Sequence, residues 1–168
     1  MKKLLAIALM FSMALVSCSK SEDENNEDPQ KVGIVGEWYS SKTNVAPLLL
    51  SLGIDSIYAK FNADNTYVVE SFSNGAKTTL TGTYVQEKSG VGNIWNITVN
   101  QNSPTALTSK GIFEIDATAK PYTMKYEVAQ TEPAITGVTP PTAAAGFGST
   151  SGGAFGQTNV QKYIKIQK

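Results

Sequence analysis

Apolar and polar residues alternate with a period of two in run after run between residues 35 and 167. An extended backbone sends successive side chains to opposite faces, so each such run buries one stripe and shows the other to water. Residues 66–73 alternate in this way, and in 93–100 Trp95, Ile97 and Val99 share a face. In 122–129 the stripe is Tyr122, Met124, Tyr126 and Val128, with Thr123, Lys125 and Glu127 opposite. In the last run, 160–167, the mostly apolar stripe is Val160, Lys162, Ile164 and Ile166. With 36–43, 54–61, 78–85 and 110–116, these runs predict eight strands. No long run carries the 3.6-residue period of an amphipathic helix. Residues 46–52, with Pro47 near the start, read as a short helix or lid.

The connections fit the same picture. Asn62-Ala63-Asp64-Asn65 is a turn by composition, and Asn74-Gly75 supplies a hairpin, because both residues tolerate positive φ. Eight short strands joined by hairpins predict an all-β antiparallel meander. Eight is also the number at which a sheet closes into a barrel around side chains or one small ligand. A two-sheet β-sandwich is the rival architecture. The exception among the connections is 131–159, with Pro133, Pro140, Pro141 and six glycines. A loop of that length inside a compact domain is either functional or disordered. Phe147 and Phe155 stand among its glycines, so the loop is expected to lie across the domain with those rings as anchors, over a ligand or over the core.

Charge and composition exclude several kinds of chemistry. All 14 basic residues are lysines, and there is no histidine. From Lys31 onward, nine acids face eleven lysines, so no basic stripe exists to hold a phosphate backbone. The guanidinium fork that reads guanine is missing as well, which argues against a nucleic-acid partner. Without histidine there is no side chain with an ordinary pKa near neutrality and no imidazole ligand, and one cysteine cannot build a thiolate metal site. No metal or cofactor is expected.

The single cysteine has a different setting. Lys2 and Lys3 precede an apolar stretch, 4–16, too short to span a bilayer as a mature helix. The stretch ends in Leu15-Val16-Ser17-Cys18, which resembles the lipobox of bacterial lipoproteins. That resemblance implies a signal peptide over 1–17 and a lipid on Cys18 that makes the membrane a partner; two or three acyl chains would hold permanently. Residues 18–32 hold Glu22, Asp23, Glu24, Glu27 and Asp28 and lack the apolar content to bury anything, so they read as a disordered tether. The acidic run is either a solvated spacer or, by resemblance to Bacteroidetes lipoproteins, a surface-export signal at the outer membrane. The folded domain is expected over 33–168.

Gly36-Glu37-Trp38 on the first strand, followed by Phe61-Asn62-Ala63-Asp64-Asn65-Thr66-Tyr67 and Gly82-Thr83-Tyr84, resembles the lipocalin-like domains of Bacteroidetes lipoproteins. The resemblance covers most of 35–130. It implies an eight-stranded barrel in which Gly36 and Trp38 are structural, the tryptophan plugging the closed end beneath an arginine. This chain has no arginine, so Lys162 or Lys165 is the candidate to lie over the ring as a cation–π partner. The helix that lipocalins carry before their last strand is not expected in the Gly/Pro-rich 131–159.

Site chemistry is sparse. Glu114 and Asp116 fall on one side of their strand and read as solvated acids ahead of an acid/base pair, so no enzymatic activity is expected. Tyr67, Tyr84, Trp95, Tyr122, Met124 and Tyr126 either line a cavity for a small apolar or glycan ligand or simply fill a small barrel. The expected function is a binding module for such a ligand. The alternative is a protein-interaction subunit of an envelope complex, docking through 131–159 or 47–52.

Overall fold

The computed structural model describes residues 33–167; the leader, Cys18 and the acidic tether lie outside the described residues. The chain forms one closed barrel of eight antiparallel strands in sequence order. The strands are β1 (Gly36–Ser41), β2 (Ser56–Phe61), β3 (Thr66–Ser73), β4 (Ala76–Lys88), β5 (Ile94–Ser103), β6 (Leu107–Asp116), β7 (Thr123–Glu132) and β8 (Gln161–Lys165). The meander barrel is therefore the architecture, not the two-sheet sandwich. The one α-helix among the described residues is α1 (Pro47–Ser51), a single turn between β1 and β2 that starts on proline, whose missing N–H costs nothing there. The β3–β4 turn sits where Asn-Gly predicts it, with Asn74 at φ 50° and Gly75 at φ 80°.

Register fixes which stripe turns inward. Opposed pairs Trp38/Ala59, Ala59/Val69, Val69/Leu80 and Tyr84/Val99 carry one side of the sheet around half the circumference. Trp95/Phe113, Phe113/Tyr126, Met124/Tyr163 and Lys165/Trp38 continue it to closure. All these residues face the lumen. The last strand departs from expectation: its inward stripe is Gln161, Tyr163 and Lys165, while Lys162, Ile164 and Ile166 are exposed. Apolar count alone selected the wrong stripe, because the barrel interior accepts polar residues whose partners are built in. Gln161 receives the backbone N–H of Ala46 at 2.7 Å and donates to Ser40 Oγ, and all three residues are buried. This network ties β8 to β1 and to the segment that enters α1.

The loop from 133 to 160 lies on the outside of the barrel. Glu127 points outward from β7, yet its side chain is fully buried. Its carboxylate accepts hydrogen bonds from Gly148 N (2.6 Å), Thr150 N (3.1 Å) and Thr150 Oγ1 (2.5 Å). Asn159 Nδ2 adds bonds to Val128 O and Thr150 Oγ1. The Phe147 ring sits 5.7 Å from Lys125 Nζ, and Ile112 and Ala129 are buried on the same outer face. The loop thus covers β6 and β7 from outside, and its regular structure is limited to two 3-10 turns, Thr150–Gly153 and Gly156–Asn159. Phe147 serves as an anchor; Phe155 is half-buried in the second half of the loop.

A buried carboxylate holding three donors makes a sharp prediction. Glu127→Ala leaves two amides and one hydroxyl without their acceptor, each worth about 1–3 kcal/mol when buried. Urea unfolding of this variant is expected to show a loss of roughly 3 kcal/mol or more, together with rapid amide exchange at Gly148 and Thr150. A loss below about 1 kcal/mol would contradict a loop clasped by Glu127.

Candidate functional site

One end of the barrel is sealed by the chain that leads into β1. Ile34 is fully buried, donates its N–H to Gln86 Oε1 at 2.9 Å, and accepts the Trp38 Nε1–H at 2.8 Å. Lys165 Nζ lies 5.5 Å from the centre of the Trp38 ring and 5.9 Å from that of Tyr122. Of the two candidate lysines it is Lys165 that covers the tryptophan; Lys162 is exposed on the other face of β8. Gly36 makes room for this arrangement. Its φ of 132° is one that side-chain-bearing residues rarely adopt, and a Cβ there would meet Lys165 Cε at 3.0 Å.

Above this plug the lumen is filled by aromatic side chains in contact. Phe61 packs edge-on against Tyr84 at 5.2 Å and lies 6.0 Å from Tyr67. Trp95 stacks on Phe113 at 5.7 Å, and Tyr126 meets Tyr163 edge-on at 6.1 Å. Four of the six candidate ligand-lining residues, Tyr67, Tyr84, Trp95 and Met124, are buried members of this core. Tyr84 spends its hydroxyl on Asn62 O at 2.8 Å, fixing the β2–β3 turn. Tyr122 is half-exposed at the sealed end under Lys165. Tyr126, like Tyr122, is packed on the core and partly accessible, but it lies away from the sealed end.

Accessibility along the inward stripes changes towards the other end. Val69, Leu80 and Val128 face the lumen and pack on the core, yet each is half-exposed. Beyond them the inward positions are mostly polar, with Ser71, Gln101, Ser109 and Gln130 half-exposed and Leu107 the apolar exception opposite Gln101. Gln101 and Gln130 donate to the carbonyls of Thr105 and Pro133, which holds the rim loops in place. This end of the barrel therefore has an apolar wall and a mostly polar rim, with Val45 and Leu49 of the segment around α1 packed on the core beside it. Beside the rim, α1 tucks Leu49 against the core while Leu50 and Leu52 remain exposed.

The acid pair lies elsewhere. Glu114 and Asp116 border an open outer groove of about 470 Å³ that also includes Asn93, Thr118 and Lys125. Glu114 is 3.8 Å from Lys125 Nζ, and Asp116 accepts bonds from Thr118 Oγ1 and N. The Thr118 hydroxyl and amide hold the Asp116 carboxyl below its ordinary pKa. Each acid thus has a local structural partner. No group of three or more potential metal-ligating side chains occurs among the described residues. The residues that sequence reading missed are Tyr163, Gln161 and Ser40 in the lumen and Glu127 outside it. The need for a cation opposite Trp38 was the one available pointer to the 161/163/165 stripe.

The fold and the lumen define a closed eight-stranded meander barrel that is plugged at the Trp38 end and more accessible at the other. No protein-family model, curated protein or solved structure matches the chain.

Two predictions follow from the lumen. Burial pushes the phenols of Tyr67 and Tyr84 up to about 12, with the Asp64 charge adding to Tyr84. It raises Tyr163 too, and raises Tyr126 well above the ordinary value with help from the neighbouring Tyr163 and Tyr67 phenols. A pKa raised on folding contributes stability that is complete below the unfolded value of 10.0 and lost as pH climbs through the folded value. Unfolding free energy should hold steady up to pH 10.0 and fall towards about 12. These four phenols should appear in the phenolate absorbance only along with that loss, and their titration near the ordinary value would contradict a buried lumen. Separately, Lys165→Arg places a planar guanidinium over Trp38 and is expected to raise stability by about 0.5 kcal/mol, whereas Lys165→Met lowers it by about 0.5–1 kcal/mol.

Proposed function

We propose that the protein is a lipid-anchored, lipocalin-like lipoprotein of the bacterial outer membrane whose barrel is a non-enzymatic binding module for a small lipophilic or glycan ligand. The anchor rests on the leader and on Cys18 after Leu15-Val16-Ser17. The binding reading rests on one observation: inward side chains are sealed at the Trp38 end and half-exposed at the Val69, Leu80 and Val128 level. A barrel built only to be solid would bury these three as it buries Ile97 and Phe113. A concave, mostly apolar wall with a few polar groups at the rim is the form that small-molecule sites take. The Ser and Gln rim, with no charged residue among those four, suits a neutral ligand entering by its apolar part.

One feature favours a second reading. Leu50 and Leu52 of the α1 region are 41% and 69% exposed next to the cup. Apolar side chains held out on a lid beside an opening suit a protein partner in the envelope, either in place of a small ligand or as the protein that delivers it.

Native mass spectrometry of the full chain extracted from its own membranes tests the proposal. The expected result is a retained small molecule that is absent from Val128→Trp, a variant that fills the cup and keeps the strand. Wild-type protein with no retained mass, and no thermal shift across a set of lipophiles and glycans, would overturn the binding reading. Cys18→Ala tests the anchor separately: the protein should move from the membrane fraction to the aqueous one, and its staying on the membrane would contradict lipidation.

A further inference from the structure

Three tyrosine hydroxyls inside the barrel have no structural employment. Tyr67 and Tyr163 are 3% and 6% exposed, and Tyr126 lies between them in the lumen, edge-on to Tyr163. Tyr84 spends its hydroxyl on Asn62, but no hydrogen bond to a described residue engages the hydroxyl of Tyr67, Tyr126 or Tyr163. Yet no side-chain oxygen sealed from solvent lacks a partner among the described residues. The three phenol oxygens must then border accessible space, and the half-exposed Val69, Leu80 and Val128 above them show where that space opens.

We propose that these phenols form a donor set for the polar end of the ligand, and that the ligand class is a neutral, acceptor-bearing lipophile: a ketone, ester, amide or ether on an apolar body. This rests on the cup being a binding site and adds the chemistry of its floor. Phenols kept neutral by burial present O–H donors to an acceptor throughout the physiological range. An anion is disfavoured, because the inward lysines, Lys88 and Lys165, sit at the sealed end over Trp95 and Trp38, and among the described residues no other lysine lies on an inward stripe. A buried charge without a counter-charge is costly. A pure hydrocarbon would bury three unpaired hydroxyls, which is also costly. A glycan, with donors over most of its surface, fits the apolar wall of Val69, Leu80 and Val128 poorly.

The test uses the full lipidated chain in nanodiscs and three isosteric probes: 2-acetylnaphthalene, 2-isopropylnaphthalene and 2-naphthoate. Binding is read by calorimetry and by the carbonyl stretch of isotope-labelled 2-acetylnaphthalene, each corrected with Val128→Trp nanodiscs to remove partition into lipid. The acetyl probe should bind about tenfold or more tightly than the hydrocarbon, which is one hydrogen bond's worth, and its carbonyl stretch should move to lower frequency. Tyr67→Phe, Tyr126→Phe and Tyr163→Phe keep the packing, and at least two of them should erase most of that preference, the acetyl probe losing affinity and the hydrocarbon gaining it as the unpaired hydroxyl is removed. Equal affinity for acetyl and hydrocarbon probes, or a preference that survives all three variants, overturns the phenol assignment and leaves the cup intact as an apolar site. Tighter binding of naphthoate overturns the neutral ligand class. Failure of all three probes to bind counts against the cup itself.

Discussion

The seam between β1 and β8 turns a ribbon of eight strands into a vessel, and it is short. Its backbone register comprises Trp38 opposite Lys165 and Tyr39 opposite Ile164. Side chains extend it in both directions. On one side Lys165 lies over Trp38, with the Ile166 amide bonding Glu37 O at 2.8 Å. On the other, the Gln161 amide bridges Ser40 Oγ and the Ala46 amide. Closure removes the two edges that a meander would otherwise expose, and it gives every inward stripe a common interior. Gly36, Trp38, Lys165, Gln161 and Ser40 are one device for holding the ends together.

Once closed, the barrel distributes its volume unevenly. The Trp38 end is filled with Ile34, Trp95, Phe113, Ile115 and Met124, all buried. The other end has several small or polar inward residues such as Ser71 and Ser109, beside Leu107 and the core-packed Val45 and Leu49. This difference in side-chain volume leaves the inward stripes more accessible at that end. The loop lies on the outside; with Glu127 as its clasp it protects β6 and β7, and its second 3-10 turn packs against α1 at the rim.

Strand number, order and connection type were legible in the sequence, because period-two alternation and turn chemistry are local properties. Residues 66–73 were read with the bounds that β3 takes, and the short helix after β1 with nearly its own. The inward stripe of β8 was not legible from apolar count: Ile164 and Ile166 lie outside, and Gln161 is buried through partners 115 and 121 residues away. Glu127 escaped notice for the same reason, since an acid opposite an apolar stripe looks solvated until the loop folds over it. For the candidate site, the aromatic strand residues were legible as inward-facing side chains, Tyr67 and Tyr126 among them. Alternation could not separate core from cup, a distinction that depends on position along the barrel axis.

A high-resolution crystal structure of the protein, examined for density inside the barrel, bears most directly on the closed barrel and its interior. The expected result is ordered solvent or ligand within hydrogen-bonding reach of Tyr67, Tyr126 and Tyr163, continuous with the opening between Val69, Leu80 and Val128. Side chains packed across that space, with the three hydroxyls bonded to protein atoms, would contradict it.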